Sequence, residues 1–131
     1  MAVSNGPWLL DTSILIDILR GYKPTRDWVD SIPPTDRFVS VITAAELLAG
    51  CRNQTEQRAV ERELALYTML WLDEGASQAA LEWYRRFHLS HGIGFLDCLI
   101  AATAVQRGLR LATLNLKHFG PLTNVHAERP H

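Results

Sequence analysis

Short apolar segments alternate with longer amphipathic segments along most of this chain, and such an alternation predicts strands that are followed by helices. The predicted strands cover residues 8–10, 38–41, 69–72 and 109–113, with a weaker fifth at 123–125. The predicted helices cover residues 12–20, 25–32, 43–51, 55–67, 76–91 and 96–107. Strands that alternate with helices favour the α/β class, so we expect a mostly parallel central sheet of four to five strands with helices on both faces.

The length and composition of the chain fit one globular domain with an ordinary core. It has 131 residues, of which 47% are hydrophobic and 21% charged, and its formal net charge is -1. We therefore expect a single domain over residues 1–131, with residues 1–7 and 120–131 peripheral or frayed. A protein that coats nucleic acid would be more basic, but a nuclease need not be, because an acidic site offsets its basic residues.

The chain has two cysteines, Cys51 and Cys98, and both fall in predicted helices. Free thiols are favoured over a disulfide, and they suit a reducing compartment. No basic start followed by an apolar stretch precedes the first strand, and no apolar run reaches the roughly 18 residues needed to span a bilayer. We therefore expect a cytoplasmic protein that does not associate with a membrane.

Three acidic residues stand at similar places in the predicted pattern. Asp11 lies between the first strand and the first helix, Glu46 lies in the helix after the second strand, and Asp97 opens the last helix. Ligands of an open parallel sheet bind beyond the carboxyl ends of its strands, so the three carboxylates could meet at that edge. A cluster of this kind repels itself unless a cation neutralises it, and oxygen ligands favour hard cations such as Mg²⁺ or Mn²⁺.

Each acid also has a purely structural interpretation, in which it stabilises the start of a helix. Asp11 stands at an N-cap position, and Thr43 with Glu46 has the spacing of a capping box. Asp97 lies in a first turn, where the helix dipole favours a negative charge. The apolar neighbours of Asp97 make it costly to bury without a compensating charge. The two interpretations are compatible, since a carboxylate in a first turn can also bind a metal.

Four segments that contain these residues resemble, in order, the motifs of the PIN domain family and, within it, of the VapC-type ribonuclease toxins. They are residues 10–17, 40–47, 94–102 and 111–119. Any one segment is a weak signal, whereas four in the family's order are fairly specific. The resemblance covers the chain from about Leu9 to Phe119 and implies a parallel-sheet fold that hydrolyses RNA phosphodiester bonds with Mg²⁺ or Mn²⁺.

The resemblance also implies roles for individual residues. The catalytic metal ligands map onto Asp11, Glu46 and Asp97. Asn115 takes a further catalytic position, where the family often carries another aspartate, so it adds an oxygen ligand without a charge. The hydroxyl side chains that would support the ligands are Thr12, Ser13 and Thr113.

The resemblance further implies partners for the protein. VapC-type proteins pair with a small antitoxin and commonly dimerise, and helix faces around Tyr67 and Trp83 offer apolar surface for a homodimer. Apart from the resemblance, Lys117 and His118 follow the last motif and could contact phosphate of the RNA substrate, although a plain surface loop explains them equally well. Arg52 could line a path for the RNA, but a solvated helix face is the favoured interpretation of this residue.

Other functions of small α/β domains fit the sequence less well. A phosphate-accepting signalling domain needs two adjacent acids after the first strand, but Thr12 follows Asp11. A hydrolase of the Asp-x-Asp type fails because Ser13 stands at the second position, and no Gly-x-x-x-x-Gly-Lys-Ser/Thr loop is present for nucleotide hydrolysis. The remaining alternative is a non-catalytic PIN-like RNA- or protein-binding module, which a metal-dependent cleavage assay on RNA would distinguish from the enzyme.

Overall fold

A computed structural model describes residues 6–131 of the protein, and one parallel sheet lies at its centre. The strands are β1 (Trp8–Leu10), β2 (Arg37–Ser40), β3 (Thr68–Leu70), β4 (Arg110–Ala112) and β5 (Ala127–Glu128). The helices are α1 (Thr12–Leu19), α2 (Lys23–Asp30), α3 (Val41–Ala49), α4 (Gln54–Leu64), α5 (Glu74–His91), α6 (Phe95–Arg107) and α7 (Leu116–Phe119), with a 3₁₀ helix at Pro34–Asp36. The strand order is β3-β2-β1-β4-β5, and every pair of neighbouring strands is parallel.

The strands alternate their side chains between two cores, one on each face of the sheet. In β1, Leu9 packs with α5 and α6, whereas Trp8 and Leu10 pack with the helices α1 to α4. Ile100 and Ala101 are fully buried in α6, which makes this helix the central one on its face. The α/β fold expected from the sequence, with helices on both faces of a parallel sheet, is confirmed. None of the helices within residues 6–131 is both long and apolar enough to cross a membrane.

Strand β2 continues into α3 without a loop, and this junction differs from the prediction. The helix begins at Val41 because Ser40 caps it, with Ser40 Oγ accepting a 3.0 Å hydrogen bond from the backbone N–H of Ile42. Thr43 therefore lies inside the helix and is fully buried, so the capping box predicted for Thr43 and Glu46 does not form. Glu46 lies on the second turn of α3 instead.

The sequence predicts a peripheral or frayed segment over residues 120–131, yet this segment contributes to both the core and the sheet. Leu122 is 2% exposed, and the backbone N–H of Val125 bonds to the carbonyl oxygen of Leu122 in a turn. The fifth strand consequently begins at Ala127, after this turn, rather than at the predicted residues 123–125. Of the predicted peripheral residues 1–7, residues 1–5 lie outside the described part of the chain.

Tyr67, which the sequence suggests as part of a dimer surface, is held inside the fold. It is only 9% exposed, and its hydroxyl donates a 2.5 Å hydrogen bond to Glu63, which also pairs with Arg26. Burial raises the pKa of Tyr67 well above its usual value. Trp83 is half-buried and packs against the core beneath α5 and α6. Tyr67 therefore cannot contribute to an interface between subunits, and this part of the prediction is wrong.

Candidate active site

Asp11 lies at the carboxyl end of β1, the middle strand of the sheet, and is only 4% exposed. Its Oδ2 accepts hydrogen bonds from Ser13 Oγ at 2.9 Å and from Thr113 Oγ1 at 2.7 Å. Although Asp11 occupies the N-cap position of α1, its side chain accepts no hydrogen bond from the backbone N–H groups of the first turn. The carboxylate therefore contacts the edge of the sheet and does not cap the helix.

Glu46 reaches the same edge from α3 and is held there by Thr12. Thr12 Oγ1 donates a 2.6 Å hydrogen bond to Glu46 Oε1. Because that bond uses the only hydroxyl proton of Thr12, Thr43 must be the donor in the 2.9 Å contact between the two threonine hydroxyls. Thr43, for which the sequence predicts only a capping role, thus orients Thr12 from inside the helix.

Asp97 is the third residue of α6 and brings a third, half-buried carboxylate to the group. Burial raises the pKa of Asp97 above its usual value, and the negative charges of Asp11 and Glu46 raise it further, against the opposing effect of His118. Asp97 therefore lies within electrostatic reach of both other carboxylates. Asp97 Oδ2 is 3.2 Å from Nδ1 of His118, a residue of α7.

Each of the three carboxylates has one oxygen held by a neighbour and one oxygen without a hydrogen-bond partner among residues 6–131. The held atoms are Asp11 Oδ2, Glu46 Oε1 and Asp97 Oδ2. As the side chains stand, no three of the described Asp, Glu, His or Cys side chains are close enough together to bind one metal ion. The donor set nevertheless suits a hard divalent cation, because its ligands would be carboxylate oxygens that repel one another in a partly buried site.

The loop after β4 carries the remaining residues predicted for the catalytic group. Thr113 is fully buried, and its Oγ1 accepts a 3.0 Å hydrogen bond from the backbone N–H of Asn115. The side chain of Asn115 is exposed and makes no hydrogen bond to any described residue, so it is free to contact a ligand. Lys117 and His118 are exposed on α7, and His118 joins this short helix to Asp97.

Arg52 lies apart from this loop, on another part of the surface. Its guanidinium pairs with Glu56 at 2.8 Å, and its side chain is 84% exposed. It lines an open cavity of about 570 Å³ between α1, α3 and α4, and Glu46 forms part of the wall of that cavity. Arg52 therefore neighbours the acidic group through Glu46, whereas Lys117 and His118 neighbour it through Asp97.

Arg129 lies near the site although no feature of the sequence points to it. It follows β5, which pairs with β4, and its Nη1 donates a 2.7 Å hydrogen bond to the carbonyl oxygen of Leu114. Nothing local marks this arginine in the sequence, because its position depends on the parallel pairing of two strands.

The profile of one protein family, the PIN domain, matches residues 8–119 of the chain. The chain belongs to the PIN domain family. The matched residues include all four motif segments identified in the sequence, and with them the three carboxylates and Asn115.

Individual relatives are similar over most of their length. The chain is 42% identical over 113 residues to ribonuclease VapC10 of Mycobacterium tuberculosis strain H37Rv, a match that covers 85% of this chain and 84% of that protein. The solved structure of VapBC-1 from nontypeable Haemophilus influenzae matches with a TM-score of 0.78 and 28% identity, over 94% of this chain and 97% of that one. DNA-bound VapBC from Salmonella typhimurium matches with a TM-score of 0.83 over 97% of this chain and 100% of that one. Because the two sequences are only 23% identical, this match supports the fold alone. The resemblance to the PIN domain family and its VapC-type members is confirmed.

Proposed function

We propose that this protein is an endoribonuclease that hydrolyses RNA phosphodiester bonds with Mg²⁺ or Mn²⁺, and that it is the toxin of a VapBC-type toxin–antitoxin pair. The observation that carries the proposal is a group of three carboxylates at the carboxyl edge of a parallel sheet, in a chain that is 42% identical to ribonuclease VapC10. The carboxylates repel one another, and a bound divalent cation would relieve that repulsion. Two free thiols, Cys51 and Cys98, suit the reducing cytoplasm that we propose as its location.

The residues that would hold the cation are Asp11, Glu46 and Asp97, each through the oxygen that no neighbour holds. As the side chains stand they are too far apart to share one ion, so binding requires them to rotate toward one another. The bound cation would polarise the phosphoryl group and activate the attacking water. Asn115 would add a neutral amide oxygen beside them.

Three hydroxyl side chains orient these ligands and are not nucleophiles in this proposal. Thr12 donates a hydrogen bond to Glu46, and Ser13 and Thr113 each donate one to Asp11. Hydrogen bonds of this kind favour the ionised carboxylate, which is the form that binds a cation. They also fix one oxygen of Asp11 and one of Glu46, so that these two side chains lose less freedom when a ligand binds.

Cleavage of RNA with and without Mg²⁺ tests the proposal. We expect the wild-type protein to cut RNA in Mg²⁺ and to stop in EDTA. We expect the variant Asp97→Asn to be inactive, because it keeps the shape of the side chain and removes the charge. Asp27→Asn is the matched control, since Asp27 is exposed and pairs with Lys23 on α2, and it should retain full activity. Full activity of a folded Asp97→Asn protein would contradict the assignment.

The alternative is a non-catalytic PIN-like module that binds RNA or another protein. The observation in its favour is Asn115, which contributes no charge where the family often has an aspartate. In that case the wild-type protein would bind its partner in Mg²⁺, and no cleavage product would form.

We further propose that a small cognate antitoxin occupies the open cavity beside Glu46. The cavity is about 570 Å³, and apolar side chains that include Leu19, Leu47 and Val60 line it. Grooves of this composition bind the apolar face of an amphipathic helix or an extended segment. Because Glu46 lies in the wall of the cavity, the bound antitoxin would block the acidic group from RNA.

We also propose that the protein forms a homodimer. Since Tyr67 is buried, the interface must use other apolar side chains, and Leu66 and Trp71 beside β3 are 49% and 66% exposed. Strand β3 lies at the edge of the sheet, where a second copy can approach it. Light scattering of the purified protein measures its mass, and the mass of a monomer at high concentration would contradict the proposal.

A further inference from the structure

A second cavity, of about 330 Å³, opens beside the loop after β4, and basic side chains line it. We propose that this cavity binds a phosphodiester group of the RNA strand that enters the acidic site. Its basic side chains are Lys117, His118 and Arg129, and we call it the basic pocket. The inference rests on the proposed ribonuclease function and adds to it a site for the backbone of the substrate.

Arg129 is fixed in the basic pocket by backbone contacts. Its Nη1 donates to the carbonyl oxygen of Leu114 at 2.7 Å, and its Nε donates to that of His131 at 3.1 Å. The strand before it is tied to the site, because the backbone N–H of Thr113 bonds to the carbonyl oxygen of Glu128 at 3.0 Å. The guanidinium is therefore pre-organised, and its Nη2 has no partner among the described residues. An arginine held in this way loses little freedom when it binds a phosphate.

Two of the three basic side chains of the pocket have no acidic partner among the described residues, whereas the third, His118, contacts Asp97. Lys117 and Arg129 form no ion pair with any carboxylate in residues 6–131, whereas Lys23, Arg52 and Arg85 each pair with one. Two unpaired cations that line one cavity favour an anionic ligand. Arginine and lysine are also the side chains that proteins use most to bind phosphate groups.

The basic pocket adjoins the acidic site through one shared side chain. His118 lines the pocket, and its Nδ1 is 3.2 Å from Oδ2 of Asp97. A phosphodiester in the pocket would therefore belong to the same strand as the group on which the carboxylates would act. Phosphate contacts position a nucleic acid without reading its bases, so the pocket would set the register of the strand and not its sequence.

The test measures RNA binding in the absence of cleavage. A fluorescein-labelled single-stranded oligoribonucleotide is titrated with protein in EDTA, and fluorescence anisotropy gives the Kd at several salt concentrations. Lys117→Gln is the primary variant, because Lys117 is exposed and makes no hydrogen bond or ion pair within the described residues. Arg129→Gln is the second variant. Arg107→Gln is the matched control, since Arg107 is exposed at the end of α6 that lies away from Asp97.

We expect Lys117→Gln to weaken RNA binding several-fold at low salt. The negative slope of the logarithm of the association constant against the logarithm of the salt concentration should become less steep by about 0.7. This is the value for one lost phosphate contact on a single strand. Arg129→Gln should act in the same direction, and Arg107→Gln should match the wild type. If Arg129→Gln fails to fold, as judged by circular dichroism, Lys117→Gln alone decides.

Equal losses in Lys117→Gln and Arg107→Gln, no loss in Lys117→Gln, or a wild-type protein that does not bind RNA would overturn the proposal. The proposal would also be overturned if the binding of an acidic peptide depended on Lys117 and the binding of RNA did not, because the pocket would then serve a protein partner. RNA binding that depends on Lys117, in a protein that never cleaves RNA in Mg²⁺, would support the basic pocket and contradict the ribonuclease function. The two proposals can therefore fail separately.

Discussion

Thr113 donates a 2.7 Å hydrogen bond to Oδ2 of Asp11 and thereby joins two residues that are 102 positions apart in the chain. The parallel register pairs Leu10 with Ala112, the last residues of β1 and β4. Asp11 and Thr113, which follow directly, therefore lie side by side. Both side chains are almost fully buried, where a polar group without a partner is costly. The bond fixes one oxygen of Asp11 and leaves the other for a ligand, so the sheet itself positions this carboxylate.

Replacing Thr113 with valine removes the hydroxyl and keeps the shape of the side chain. We expect Thr113→Val to lower the free energy of unfolding by about 1–3 kcal/mol, because it removes a buried hydrogen bond to Asp11 and leaves the backbone N–H of Asn115 without its acceptor. RNA cleavage should also fall, because Asp11 loses one of its two hydroxyl donors. Urea denaturation and a cleavage time course measure the two effects.

Thr103→Val is the matched control for this variant. Thr103 is 2% exposed, and its hydroxyl donates to the carbonyl oxygen of Leu99 within α6. That carbonyl also accepts a backbone hydrogen bond of the helix, so the loss of the hydroxyl should lower stability less and leave cleavage unchanged. An equal loss of cleavage in both variants would mean that Thr113 acts through general stability and not through Asp11.

Asp97 should make the fold less stable at neutral pH than at acid pH. Burial and the neighbouring negative charges raise the pKa of Asp97 in the folded state above the 3.8 of an unperturbed aspartate. The protonated carboxyl therefore contributes stability that is fully present below pH 3.8 and is lost as the pH rises through the raised pKa. The variant Asp97→Asn does not titrate at this position, so in EDTA it should melt above the wild type at neutral pH.

Thermal melts in EDTA over a range of pH test this difference. The gap in Tm between Asp97→Asn and the wild type should narrow as the pH falls toward 3.8. Mg²⁺ should raise the Tm of the wild type and have little effect on the variant, because a bound cation removes the repulsion only where the charge is present. A variant that melts below the wild type at neutral pH would argue against the repulsion on which the cation site depends.

The three acids could be placed at one edge of the sheet from the sequence because each has a local signal. Asp11 follows an apolar strand, and Asp97 opens an apolar helix. The way in which Glu46 is held could not be predicted, because its spacing from Thr43 also matches a capping box. In the structure Ser40 caps the helix, which therefore begins at Val41. Glu46 then lies beyond the first turn and accepts a hydrogen bond from Thr12.

Features that depend on the pairing of distant segments leave no local signal. Arg129 contacts Leu114 only because β5 lies beside β4, and the sequence predicts β5 in a different place. Tyr67 looks like a surface aromatic on an amphipathic helix. In the structure it is buried, its hydroxyl donates a hydrogen bond to Glu63, and Arg26 from another helix pairs with Glu63.

Cys51 provides a chemical probe of the cavity in which we propose that the antitoxin binds. It lines that cavity together with Glu46 and is partly exposed. Cys98 is fully buried, and burial, with a smaller effect from the charge of Asp97, raises the pKa of its thiol to about 11. Since the thiolate is the reactive form, iodoacetamide at mildly alkaline pH should label Cys51 and leave Cys98 unmodified.

Addition of the cognate antitoxin should protect Cys51 from iodoacetamide in proportion to the fraction of protein bound. Mass spectrometry of the labelled protein counts the adducts, and Cys51→Ser serves as the control that should gain none. Labelling that proceeds at the same rate in the saturated complex would place the antitoxin elsewhere on the surface.

Asn115 sets, in our proposal, how many cations the site can hold tightly. Its side chain is exposed and makes no hydrogen bond to a described residue. Its backbone N–H is tied to Thr113, whose hydroxyl contacts Asp11, so the loop around it is part of the site. Three carboxylates more than neutralise one divalent ion. A first ion should therefore bind adequately, whereas a second would bring excess positive charge and should bind weakly.

The variant Asn115→Asp adds one negative oxygen in nearly the same volume. We expect it to tighten the binding of Mn²⁺ by roughly 1 to 3 kcal/mol, with the strength of hydrogen bonds to charged groups as a guide, and to move the cleavage optimum to lower Mg²⁺. Asn124→Asp is the matched control, because Asn124 is exposed in the turn before β5 and the change adds the same charge away from the site. Calorimetric titration of Mn²⁺ into the wild type and both variants measures the effect.

Asn115 could instead be only a turn residue, and aspartate would serve equally well in a turn. In that case the wild type and Asn115→Asp would give identical isotherms, and Asn115 would not belong to the cation site.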